Sequence, residues 1–204
     1  PQSVDVATAP VERTEFYSGW SDLMIAAWKG NEQQCQLYLK KDDVNAKDPQ
    51  GHTALMRAAM KNHHKVVTLL LQNKAAVNLK NQQGETALNL ASAAGHVEAI
   101  QALLQERADA DLAANNGVTP LIAAGKSGNI KVVETLLLNK ANVNKQQDNG
   151  MTALHCAINN KQNVIAIKLL ATGAKFDLYD NQGRTALHLA AMLNQVDLLD
   201  KMIA

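Results

Sequence analysis

Aromatic side chains make up only 3% of this 204-residue chain, too few for the ring-rich core that locks a β-sandwich. Cysteine is scarcer still. Cys35 and Cys156 are the only two, which excludes a disulfide-stapled scaffold and leaves no clustered thiolates for a structural metal. No apolar run approaches the roughly 20 residues that cross a bilayer, so membrane insertion is not expected. Charge of one sign is also missing. The 20 basic and 19 acidic residues nearly cancel to a formal net charge of +1, so there is no broad field to draw in a phosphate backbone, and nucleic acid is not an expected partner. No glycine-rich phosphate loop, nucleophile elbow or carboxylate pair stands in a credible context. The chain is therefore expected to be non-enzymatic, with no cofactor and no metal. The first residue is Pro1 rather than Met, which we read as a fragment or a processed chain. The compartment stays open, the cytoplasm being favoured and the periplasm or export the alternatives if a signal segment was removed.

Present in quantity are hydrophobic residues, at 47%, and they are arranged periodically. Gly51, Gly84, Gly117, Gly150 and Gly183 recur every 33 residues, and each opens a Gly-x-Thr-Ala/Pro-Leu segment. Leucine pairs follow in constant phase at Leu70-Leu71, Leu103-Leu104, Leu136-Leu137 and Leu169-Leu170. A third signal comes later in each unit, as Ala75-Ala-Val77-Asn78, Ala108-Asp-Ala-Asp111, Ala141-Asn-Val143-Asn144 and Ala174-Lys-Phe-Asp177. The glycine suits the positive φ of a tight turn. The Thr is placed to cap a first short helix, as over Ala54 to Met60, whose alanines permit close approach. A second apolar helix follows, as over Val66 to Leu71. Neither helix buries its apolar face alone, but stacked pairs share a continuous core.

Period, turn glycine, Thr-Ala/Pro-Leu-His and the leucine pair together resemble the ankyrin repeat family. Thr152-Ala-Leu-His155-Cys-Ala157 and Thr185-Ala-Leu-His188-Leu-Ala190 carry its first-helix signature, and Thr119-Pro120-Leu121 keeps its proline. The resemblance spans about residues 16 to 204. It implies an all-α solenoid of about six helix-turn-helix units joined by hairpin-like loops, near 16–47, 48–80, 81–113, 114–146, 147–179 and 180–204. Residues 1–15 fit no unit and are expected to form a loose leader that packs across the first repeat. The first unit is degenerate, with Gly19-Trp20-Ser21-Asp22-Leu23 at its turn. The last ends at Ala204 within its second helix, where Asp197, Asp200 and Lys201 suggest a polar cap. Ala114 stands where Asp is common, and Gly125 inside a first helix is expected to soften it by about 1 kcal/mol.

The histidines read as structural. His155 and His188 occupy the slot that, in the family, hydrogen-bonds between units. His63 and His96 sit near the start of second helices, and His64 is expected at the surface. His52, one residue after its turn glycine, is either a contact or a solvated residue. Cys156 adjoins His155, but neighbouring helical residues diverge and no orienting acid is evident, so a core thiol is expected. Cys35 lies too many units away to bond with it.

The resemblance also implies a partner protein on a concave face made of turn tips and first helices, the free chain being a monomer. The slots flanking the turn glycines and following the first-helix alanines nominate Tyr17, Trp20, Trp28, Lys29, His52, Met60, Lys61, Glu85, Lys126, Met151, Asn159 and Arg184. Five of the seven aromatics, namely Phe16, Tyr17, Trp20, Trp28 and Tyr38, fall within the first 38 residues. Tryptophan and tyrosine dominate interface energetics, so Trp20 and Trp28 are expected either to form the hot spot or to cover the open end of the core. Family uses include regulatory adaptors, effectors delivered into host cells, and immunity proteins that neutralise a toxin enzyme. The alternative is the ankyrin portion of a larger enzyme or channel.

Overall fold

Hydroxyl and amide side chains set where the helices begin. In a computed structural model of the chain, which describes residues 10–204, Ser21, Thr53, Thr119, Thr152 and Thr185 each accept a hydrogen bond from the N–H three residues on. This satisfies one of the donors left over at a helix start. Among the described residues there are twelve α-helices and no strand. They are α1 (Asp22–Lys29), α2 (Glu32–Tyr38), α3 (Ala54–Met60), α4 (His64–Gln72), α5 (Ala87–Ala94), α6 (Val97–Gln105), α7 (Pro120–Ser127), α8 (Ile130–Leu138), α9 (Ala153–Asn159), α10 (Asn163–Ala171), α11 (Ala186–Met192) and α12 (Val196–Ile203).

The helices fall into two compact units. One runs to Ala91 and includes Glu98–Ala108; the other joins Ser92–Val97 to Asp109–Ala204. In the first unit, α1 packs on α3 and α2 on α4, while each first helix also packs on its own second helix. In the second unit, α7, α9 and α11 form one row and α8, α10 and α12 the other. Alanines make this spacing possible: Ala26, Ala58, Ala59, Ala124, Ala157 and Ala190 are fully buried.

Gly125 also has a packing role. A Cβ there would lie 3.0 Å from the Ala153 carbonyl oxygen, so its absence lets α7 approach the start of α9. The softening expected from sequence is thus offset by close contact.

Within each unit, polar side chains tie one repeat to the next. Asn45, Asp111 and Asn144 accept from the N–H groups of Ala76, Asn142 and Lys175, at 2.8, 2.7 and 2.8 Å. The third sequence signal therefore has a cause: its Asn or Asp is the acceptor that fixes the following loop. Residues before the second helices reach backward. His63 Nε2 lies 3.0 Å from the Trp28 carbonyl oxygen, and Gln195 Nε2 donates to the Ile158 carbonyl at 2.9 Å.

Of the leader, residues 1–9 lie outside the described residues. Residues 10–15 pack on the first repeat: Val11 is buried and Arg13 pairs with Asp22 and donates to the Trp20 carbonyl. At the last repeat the outward surface is only partly polar. α12 buries Leu198 and Met202 but leaves Val196 and Ile203 exposed beside Asp197 and Asp200, because its apolar residues exceed what one flank can cover.

Candidate partner-binding site

The turn tips are built by short side chains folding back on their own backbone. Asp48 Oδ1 accepts from the N–H groups of Gln50 and His52, both at 2.9 Å. Asn81 and Asp180 do the same for the second and fourth residues after them. Ala114 and Gln147 lack such a cradle. There Asn116 and Asn149, one residue before the turn glycine, accept instead from Val118 and Met151. The departure at Ala114 is therefore compensated within the same tip. Neighbouring tips join through main-chain bonds, from Gln82 N–H to Gln50 oxygen in the first unit and from Asn181 N–H to Asn149 oxygen in the second. A Cβ on Gly51, whose φ is +83°, would lie 2.9 Å from the Gln82 nitrogen. Both the positive φ and the adjacent tip demand glycine here.

At the first repeat this scaffold displays a cluster of rings and cations. A single 3₁₀ turn over Glu15–Tyr17 presents Phe16 and Tyr17, with centroids 5.1 Å apart. Phe16 also neighbours Trp20 at 5.6 Å and Trp28 at 6.0 Å, and the two indoles meet edge to face at 5.7 Å. Such pairs contribute about 0.5–1.5 kcal/mol each beyond area burial. Three cations cover the rings. The Arg57 guanidinium lies 3.6 Å from the Trp20 centroid, Lys61 Nζ 4.7 Å from that of Trp28, and Lys29 Nζ 5.6 Å from that of Tyr17.

Beneath the rings is a buried charge pair. Arg57 donates to Asp48, whose side chain is wholly buried. Burial alone would raise the Asp48 carboxyl, yet hydrogen bonds from Arg57 and the His52 main chain, together with the Arg57 charge, hold it below the ordinary carboxylate value. His52 Nδ1 sits 3.5 Å from Asp48 Oδ1, and Nε2 is 3.3 Å from Asn81 Nδ2. Burial first, then the Arg57 charge, lowers its pKa.

The nominated residues thus separate. Tyr17, Trp20, Trp28, Lys29 and Lys61 share one cluster. Trp20, expected either as a contact or as a cover of the core's open end, is only 6% exposed and packs beneath that cluster. Trp28 and Tyr17 are half-buried, and Lys29 and Lys61 exposed. His52 belongs to the Asp48 network, and Met60 is half-buried in the last turn of α3. Glu85 accepts from Asn81 Nδ2 at 2.9 Å. In the second unit, Lys126 donates to Gln147 at 2.9 Å, and Arg184 pairs with Asp180 at 2.8 Å. Met151 is half-buried and Asn159 exposed.

Phe16, Arg57 and Asp48 were not nominated from sequence. Arg57 had a signal: at its register the other repeats carry Leu90, Ala123, Cys156 and Leu189, so a charge there needs a buried partner.

His155, His188 and the two thiols are held in structure. His155 is fully buried, with Nδ1 closing the Thr152 cap and Nε2 facing the Arg184 carbonyl at 3.4 Å. His188 closes the Thr185 cap in the same way. Burial pushes the Cys35 thiol up to about 12, with Glu32 adding to the rise, and the Cys156 thiol up to about 11 against the opposing charge of Lys126. Burial also lowers the His155 pKa. A depressed histidine keeps its full contribution while both states are neutral. As pH falls below the ordinary value of 6.5, the unfolded chain takes up the proton first and stability drops. Urea midpoints measured from pH 7.5 to 5 are expected to fall, and His155→Gln to flatten part of that slope.

No described helix is long and apolar enough to cross a membrane. The family profile described as ankyrin repeats (3 copies) matches residues 23–114, 73–147 and 121–204. No curated protein matches the chain at a significant level.

Proposed function

Because the chain belongs to the ankyrin repeat family, whose repeats are generally protein–protein interaction modules, we propose that it binds a partner protein through its turn tips and first helices, centred on the first repeat, and carries no catalysis of its own. The supporting observation is the ring cluster. Phe16 is 63% exposed, and it stands on a base of Trp20 and Arg57 that are nearly fully buried. An exposed ring held by packed neighbours loses little side-chain entropy on binding. The two thiols, buried and with raised pKa, support a binding role over nucleophilic chemistry. A partner whose own functional surface lies under this contact is inhibited by it.

The test separates Trp28 from Trp20. Phe16→Ser with Trp28→Ala is expected to weaken partner binding by about 100-fold, measured by calorimetry, while far-UV circular dichroism stays that of the parent. Unchanged affinity in the folded double variant would place the contact elsewhere.

A further inference from the structure

Among the described residues, the aromatic end carries charge that no carboxylate pairs with. Arg57 is paired with Asp48 and Arg13 with Asp22. Among the described residues, neither Lys29 nor Lys61 has a carboxylate within ion-pair distance; each ammonium rests only on a ring, over Tyr17 and Trp28 respectively. A ring face attracts a cation but leaves its charge to the surroundings. Phe16 contacts both of those rings, so an exposed apolar side chain is flanked by two uncompensated ammonium groups. Glu15, also exposed on the same 3₁₀ turn, makes no ion pair with either.

Building on the partner-binding reading above, we infer that the first repeat receives an acidic segment of the partner protein, one whose apolar residue covers Phe16 while flanking carboxylates meet Lys29 and Lys61. Complementary charge raises the encounter rate and selects the register, and the apolar contact supplies desolvated area. A single-stranded nucleic acid is the competing polyanion. Phe16 leaves a ring open to a base, but the nearly neutral chain lacks the extended basic groove that tracks a phosphate backbone.

The chain carries its own reporters, since Trp20 and Trp28 are its only tryptophans. The probes are three short synthetic peptides with a central Leu-Leu flanked by glutamates, glutamines or lysines, plus a single-stranded oligothymidine. Indole emission is followed on titration. The glutamate peptide is expected to shift the emission and to bind at least about tenfold more tightly than the glutamine peptide. The lysine peptide and the oligonucleotide should be weaker still. Lys29→Gln with Lys61→Gln should erase the preference and Lys29→Arg with Lys61→Arg should keep it, with circular dichroism unchanged in both. No response to the glutamate peptide, equal binding of the glutamine peptide, a preference that survives in the glutamine variant, or tighter oligonucleotide binding overturns the inference. Capture of the cognate partner that depends on Phe16 and Trp28 but not on the two lysines would sink the acidic class alone and leave the docking site standing.

Discussion

Arg57→Ala is expected to destabilise the first unit by about 3–5 kcal/mol, the range for breaking a buried ion pair from one side. The Asp48 side chain is wholly buried, and that of Arg57 is 9% exposed. Removing the guanidinium strands a carboxylate whose ionised form Arg57 supports by hydrogen bond and charge. It also uncovers the Trp20 face, a contact that contributes about 2 kcal/mol when desolvated. Arg57 Nε is itself buried without a partner, so the site already carries one unmet donor and has little reserve. Asp48→Asn supplies the control, because an amide oxygen still accepts from the Gln50 and His52 N–H groups while the charge is gone. Urea unfolding should show Arg57→Leu costing clearly less in the Asp48→Asn background than alone. Equal costs in both backgrounds would mean that the pair is not what holds the first repeat.

Leu136→Ala is expected to destabilise the second unit by about 2–5 kcal/mol, while Leu138→Ala stays within about 0.5 kcal/mol of the parent. The three leucines at the end of α8 are consecutive, yet successive helical residues point about 100° apart. Leu136 is 0% exposed, Leu137 is half-buried, and Leu138 is 84% exposed. Truncating Leu136 opens a cavity between packed helices, whereas truncating Leu138 removes atoms already in water. Urea midpoints of the two variants decide it. Comparable losses at both positions would show that Leu138 is covered in solution.

The contrast among these three leucines shows what a sequence reading can reach. The 33-residue period, the Thr caps and the small residues of the first helices were legible because each is a local requirement met within a few residues. The burial of Leu136 over Leu138 follows from helical phase. The role of Asn45, Asp111 and Asn144 was not legible, since each acts on an N–H 31 residues later. The same holds for Gly125, whose value lies in a carbonyl of the next repeat.

At the candidate site the concentration of aromatics was visible, and so were the lysines. Its layering was not. Trp20 and Trp28 are eight residues apart on similar-looking slots, but Arg57 comes from another helix and lies face-on against Trp20 at 3.6 Å, and so fixes Trp20 as the buried one. Phe16, which was not among the nominated contact slots, is the most exposed ring of the cluster and stands on the 3₁₀ turn.

Hydrogen–deuterium exchange with and without the cognate partner tests most directly where this molecule makes its contact. Binding at the first repeat predicts slowed exchange in residues 15–29 and around Lys61, with the tips near Met151 and Arg184 unaffected. Protection confined to those second-unit tips, with residues 15–29 exchanging as in the free protein, would contradict it.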